Sequence, residues 1–178
     1  NHAATGEGSA FLGGISTNFA SNLVLGEGRR LVVEADEYDR SFLRLWPDVA
    51  VITATDADHL DIYGTAEAMV EAFEQFASQI KEGGSLILKQ GVAFHFDTKG
   101  RNLYRYSCDA GGDFHAENIR LIEGGHYRYD IVLPDGRIED CELGILGKVH
   151  IENSVAAVAM LWCAAKREGK ALDREAVR

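Results

Sequence analysis

Long apolar runs, an excess of basic charge and closely paired cysteines are all missing from this sequence of 178 residues. No apolar stretch approaches the roughly 20 residues that cross a bilayer as a helix. The formal net charge of −10 argues against a large nucleic-acid footprint, which needs a basic face. It leaves nucleotide binding open, because a metal ion reverses the local field. The three cysteines, Cys108, Cys141 and Cys163, stand far apart. An odd, widely spaced set reads as free, inert thiols of a reducing compartment, and without paired Cys/His spacing there is no zinc motif. Three catalytic signatures are also absent: the G-x-x-x-x-G-K-[ST] phosphate loop, a G-x-G-x-x-G fingerprint opening a helix, and a G-x-S-x-G elbow. The stretch GEGSAFLGG has the glycines but no lysine. The opening NHAATGEGS is polar and unlike a secretory leader. Both ends read as cut, ALDREAVR being expected to open another helix.

What remains is ordinary in bulk, 46% hydrophobic and 26% charged, and suffices for one domain with a substantial core. Residues 9–15 and 21–25 read as short strands. Residues 31–35 (LVVEA) and 49–53 (VAVIT) are continuous apolar runs, as expected of adjacent central parallel strands covered on both faces. A short helix is expected over 39–45, ended by Pro47. Residues 65–81 form the clearest helix, with Ala68, Met69, Ala72, Phe73, Phe76 and Ile80 at helical spacing. Thr65 reads as its N-cap, and Gly83 and Gly84 as its stop. Residues 85–89 (SLILK) return as a strand, so strand, helix and strand imply a right-handed crossover. Residues 91–144 change to short alternating runs separated by turns, one of them at Pro134, Asp135 and Gly136, as in an antiparallel meander. A second strong helix is expected over 151–166. The class is α/β: a mostly parallel central sheet flanked by helices, with a smaller antiparallel β-meander subdomain.

The chemistry gathers where the two apolar runs end. Glu34, Asp36, Glu37 and Asp39 follow the first; Asp56, Asp58, His59 and Asp61 follow the second. Carboxylates and an imidazole at the carboxyl ends of parallel strands point into the crevice where α/β proteins bind ligands, and together they make a hard-cation site suited to magnesium and a nucleotide phosphate. Glu34 is the strongest candidate, since a charge directly after LVV is costly to bury without a partner. Asp39 reads as a solvated acid or a helix cap. Asp56 is equally a ligand or an exposed acid. Asp58 and Asp61 stand where they would orient His59 and fix its tautomer. His150 to Asn153 (HIEN) opens the last helix. Glu152 there complements the helix dipole, whereas Asn153 lies about one turn inside and carries an amide able to read a base edge. Gly13 and Gly14 end the first strand, either as a plain turn or as a place of close backbone approach to a ligand.

The EADE-x-D-x-SFL pattern after a strand and the later DADHLD-x-YG, with FLGGI upstream and GK-x-H-x-x-N-x-x-AA downstream, resemble the central ATPase-type domain of the Mur ligases over essentially the whole chain. The resemblance is nearest to the branch that joins L-alanine to UDP-N-acetylmuramate. It ranks a murein-tripeptide recycling branch second, and a folylpolyglutamate-like relative or a non-enzymatic metal- or nucleotide-binding module stays open. The resemblance implies an ATP-dependent amide-forming enzyme of peptidoglycan precursor synthesis in the cytoplasm. ATP phosphorylates the acceptor carboxylate, and the amine then displaces phosphate from the acyl phosphate. Carried over by position, Glu34 and His59 would ligate two Mg2+ ions and Asn153 would contact adenine. Some relatives place a carbamylated lysine on the helix after the histidine motif. No lysine occurs at 65–80, so Glu71 or Glu74 would replace that charge. Two departures matter. The family's lysine-bearing phosphate loop, expected just before FLGGI, is missing, as are a UDP-binding N-terminal domain and a C-terminal domain that closes over ATP. Val149 and His150 also stand where many relatives read HN. The isolated chain is therefore expected to be inactive and to bind nucleotide weakly.

Overall fold

A computed structural model describes residues 8–56, 60–92 and 95–178. The chain separates into two compact units, residues 1–44 and 45–176. In the first, β1 (Gly8–Ser16), β2 (Ser21–Val24) and β3 (Arg30–Val33) form a sheet of order β2-β1-β3. β1 pairs antiparallel with β2 and parallel with β3, from Gly8↔Arg30 to Phe11↔Val33. A 3-10 turn at Ser41–Arg44 follows. Its start is held by Asp39, whose Oδ1 accepts the Ser41 N–H at 2.8 Å. Asp39 is itself exposed, and its bonds to Ser41 hold its carboxyl below the usual range.

The second unit is built on a six-stranded sheet of order β4-β5-β6-β7-β8-β9. These strands are β4 (Val49–Ile52), β5 (Ser85–Lys89), β6 (Asn102–Ser107), β7 (Phe114–Leu121), β8 (Tyr127–Leu133) and β9 (Gly136–Leu143). Three helices complete it among the described residues: α1 (Leu60–Tyr63), α2 (Ala66–Ser78) and α3 (Val149–Arg167). Of these, α1 has no counterpart in the sequence reading. β4, β5, β6 and β7 are parallel, and β7, β8 and β9 antiparallel. The fold class is thus α/β, mostly parallel, as the sequence indicates. The meander begins only at β7 and continues the same sheet. β6 and β7 overlap by just two pairs, Tyr106↔Phe114 and Ser107↔His115. Six residues therefore suffice to join them, where fully overlapping parallel strands need a long crossover.

One expectation is overturned. LVVEA and VAVIT do not pair: β3 edges the three-stranded sheet and β4 edges the six-stranded one. Nor is β3 covered on both faces, since Leu31 is 60% and Val32 47% exposed. A four-residue apolar run states that a strand forms; it does not state which strand it pairs with. The fully covered strand is β5, where Leu86, Ile87 and Leu88 are each at most 1% exposed.

Local chemistry explains the helices. Thr65 Oγ1 accepts the Ala68 N–H at 3.2 Å and caps α2 as its position suggests. The chain leaves α2 through Gly83 at φ +71°, a conformation that costs a residue with a Cβ. α3 buries Ile151, Val155, Val158, Ala159, Trp162 and Cys163 and packs across β4 to β7. Trp162, Tyr104 and Phe114 meet edge to face with centroids 5.4–5.7 Å apart, the favoured geometry for aromatic pairs. The Trp162 indole N–H donates to Asp135 in the β8–β9 turn at 3.0 Å. No helix among the described residues is long and apolar enough to cross a membrane.

Candidate nucleotide and metal site

Glu34 is the first residue past β3. Its backbone N–H continues the parallel ladder, donating to the Phe11 carbonyl at 2.9 Å. Its side chain turns back over β1, where Oε2 accepts the Gly13 N–H at 2.9 Å. The carboxylate is exposed, so the burial argument made for it from LVV does not apply. What distinguishes Glu34 is orientation: an idealised Cβ on Gly13 would lie 2.6 Å from Oε1 and 2.8 Å from Cδ. Gly13 therefore forms a cradle that the carboxylate fills. The neighbouring acids are occupied locally. Asp36 Oδ1 accepts the Tyr38 N–H at 2.9 Å in an Asx turn, and Asp39 Oδ1 accepts the Ser41 N–H in the same way.

Asp58 and His59 lie outside the described residues. Asp56 is exposed past the end of β4, in keeping with the plainer of its two readings, and Asp61 is exposed in the first turn of α1. No group of three or more His, Cys, Asp or Glu side chains arranged to hold a metal occurs among the described residues. Glu74 has a structural partner: its Oε1 accepts the His95 N–H at 2.8 Å. Glu71 is exposed on α2.

The carboxyl ends of β5 and β6 and the start of α3 come together in the second unit. Lys89, last in β5, pairs with Glu152 of α3 at 2.8 Å. The pair is partly shielded, with side chains 37% and 19% exposed. Glu152 thus answers a specific cation as well as the helix dipole. Asn153 follows it, exposed on the same turn. One residue on, Ser154 Oγ donates to the Ile151 carbonyl at 2.7 Å and accepts from the Tyr129 hydroxyl at 2.6 Å, which anchors the helix start to β8. Beneath lies Tyr106, 1% exposed, its hydroxyl pushed up to about 12 by burial and by Glu152. Burial also raises the thiol of half-buried Cys108, and raises Cys163 to about 11. Both therefore stay protonated and unreactive at neutral pH, as their spacing suggested. Lys89 escaped notice in the sequence, although a lysine closing an otherwise apolar strand was the available clue.

Within the second unit, a helix start at the carboxyl ends of parallel strands is where α/β folds bind ligands. The sequence matches the profile of the Mur ligase middle domain over residues 17–161. The chain belongs to that family. It is 51% identical over 156 residues to UDP-N-acetylmuramate--L-alanine ligase of Parabacteroides distasonis, a stretch covering 86% of this chain and 34% of the relative. It is 45% identical over 155 residues to the ligase of the same name from Porphyromonas gingivalis, covering 85% of this chain and 34% of that one. The chain spans about a third of the length of these relatives. Among solved structures it is similar to the UDP-N-acetylmuramate:L-alanyl-gamma-D-glutamyl-meso-diaminopimelate ligase from Neisseria meningitides, with a TM-score of 0.70 at 17% identity, over 96% of this chain and 56% of that one. It also resembles MurF from Acinetobacter baumannii, with a TM-score of 0.65 at 20% identity, over 97% and 39%. At those identities the structural likeness speaks for the fold.

Proposed function

We propose that residues 1–178 are the nucleotide-binding middle part of an ATP-dependent ligase that adds L-alanine to UDP-N-acetylmuramate in peptidoglycan precursor synthesis. Residues 91–144 form its β-rich subregion. The observation that carries this reading is the 51% identity with a ligase of that name over most of the chain. The UDP-binding and ATP-closing domains would be partners supplied by the rest of a longer protein acting in the cytoplasm. The lysine and amides that grip the phosphates would come from the longer protein.

Glu34 and, by its place in the motif, His59 would hold Mg2+. The donor fits: a carboxylate already aimed by an amide on an exposed turn suits a hard cation. Bound there, magnesium would neutralise charge on the transferring phosphoryl group. The chain's own contribution is positional. Gly13 and β1 hold the Glu34 carboxylate, while the Lys89–Glu152 pair and the Tyr129–Ser154 bond hold the start of α3, from which Asn153 would read adenine. Positioning of this kind is most of what a protein supplies to phosphoryl transfer.

Phosphate release by the full-length ligase tests the reading. UDP-N-acetylmuramate, ATP and L-alanine should together release phosphate, with glycine and L-serine weaker. If murein tripeptide supports release and L-alanine does not, the recycling activity replaces this one.

A further inference from the structure

We infer that Gly13 is a positioning residue for Glu34, and that it is glycine because the Glu34 carboxylate occupies the space of its side chain. The inference rests on the proposed role of Glu34 as a magnesium ligand. β1 and β3 are in register through Phe11↔Val33, and the Glu34 N–H donates to the Phe11 carbonyl. In an evenly spaced parallel ladder the Gly13 N–H would next donate to the Glu34 backbone carbonyl. It donates to the side-chain Oε2 instead, at 2.9 Å. The carboxylate thereby replaces one rung of the sheet and lies flat against Gly13, with Oε1 2.6 Å from where a Cβ would sit.

Backbone conformation gives no other reason for this glycine, since Gly13 is not among the residues with positive φ. Gly14 makes the contrast. It too lacks a positive φ, and nothing lies within 4 Å of its Cβ position. Of two adjacent glycines in one strand, only the first has its Cβ space filled, and what fills it is the end of the Glu34 side chain, which an added Cβ would push aside. An exposed glutamate otherwise spreads over several rotamers and loses that freedom when it ligates. With Oε2 held on an amide, much of the ordering is already in place, and Oε1 is the oxygen left to ligate.

The test uses the full-length ligase with Mn2+ as the probe, its binding followed by electron paramagnetic resonance beside a non-hydrolysable ATP analogue, together with thermal unfolding. Gly13→Ala and Glu34→Gln should each weaken Mn2+ binding about tenfold, the lower end of the loss seen when a ligand's support is removed. Gly14→Ala should leave binding unchanged. Gly13→Ala should leave Tm close to wild type, because the exposed Glu34 carboxylate swings off the added Cβ, and that displacement is what weakens binding. If Gly13→Ala binds Mn2+ like wild type while Glu34→Gln does not, the positioning role falls and the ligand role stands. If Glu34→Gln binds normally, both fall. If Gly13→Ala is unstable, the clash lies elsewhere and the inference is overturned.

Discussion

Asp130→Ala should be a costly substitution of a polar residue in the meander. Asp130 is 9% exposed on β8, between two bulged neighbours. On β7, register slips between Glu117 and Arg120; on β9, Glu139 and Asp140 together face Asp130 alone. Each bulge carries a residue in the left-handed region, Asn118 at φ 52° and Asp140 at φ 54°. The Asp130 carboxylate ties both. Oδ2 accepts from Asn118 Nδ2 at 2.6 Å, and Oδ1 accepts the Asp140 N–H at 3.0 Å. A hydrogen bond to a charged group contributes about 1.5–3 kcal/mol. Removing the carboxylate loses two of them, leaves the donors of exposed Asn118 and Asp140 to water, and regains the cost of holding a mostly buried charge. The net loss is about 2–4 kcal/mol, from the same bond energies less that desolvation. Asp130→Asn keeps the shape but turns one acceptor into a donor, and should lose about half as much. Urea denaturation followed by circular dichroism reads both, and Asn118→Ala in each background should be non-additive. The Asn118 bond and then the Asp140 amide hold the Asp130 carboxyl below the usual range. Its stabilisation is therefore complete above the unfolded-state pKa of about 3.9 and is lost as pH falls through the lower folded value. The alanine variant should consequently show a flatter acid limb. Equal stability of the alanine and asparagine variants, or a loss below about 0.5 kcal/mol, the range of inert surface changes, would refute the reasoning.

Other outcomes follow from the same geometry. Lys89→Ala should raise the KM for ATP of the full-length ligase more than it changes kcat, and the swapped pair Lys89→Glu/Glu152→Lys should recover part of the loss; an unaltered KM would remove the pair from nucleotide positioning. Asn153→Ala should also raise the KM for ATP while leaving Tm within about 1 °C, since exposed surface substitutions lie within about 0.5 kcal/mol. Thr65→Ala should destabilise by about 1 kcal/mol, the usual cost of an N-cap, as read by urea denaturation. At pH 8 a thiol-specific reagent should reach Cys163 only on unfolding, because burial raises that thiol to about 11.

The strength of a strand or helix is a local property, and the sequence determined it. The period of Met69, Ala72 and Phe76 announced α2, Thr65 its start, and Pro134-Asp135 the turn between β8 and β9. The order of motifs likewise told the family, because the spacing of EADE, DHLD and the later H-x-x-N survives in linear form. Partnership was beyond it. LVV reads the same at the exposed edge of one sheet as at the centre of another, because alternation records which faces are apolar and not which strand lies alongside. Only the tertiary structure decided that β3 joins β1 and that β4 opens a different sheet. Only there does Lys89 meet Glu152, 63 positions away, and only there does the Glu34 side chain return across the sheet to fill the space that Gly13 leaves. Those contacts depend on register between distant segments, a property that no window of neighbouring residues contains.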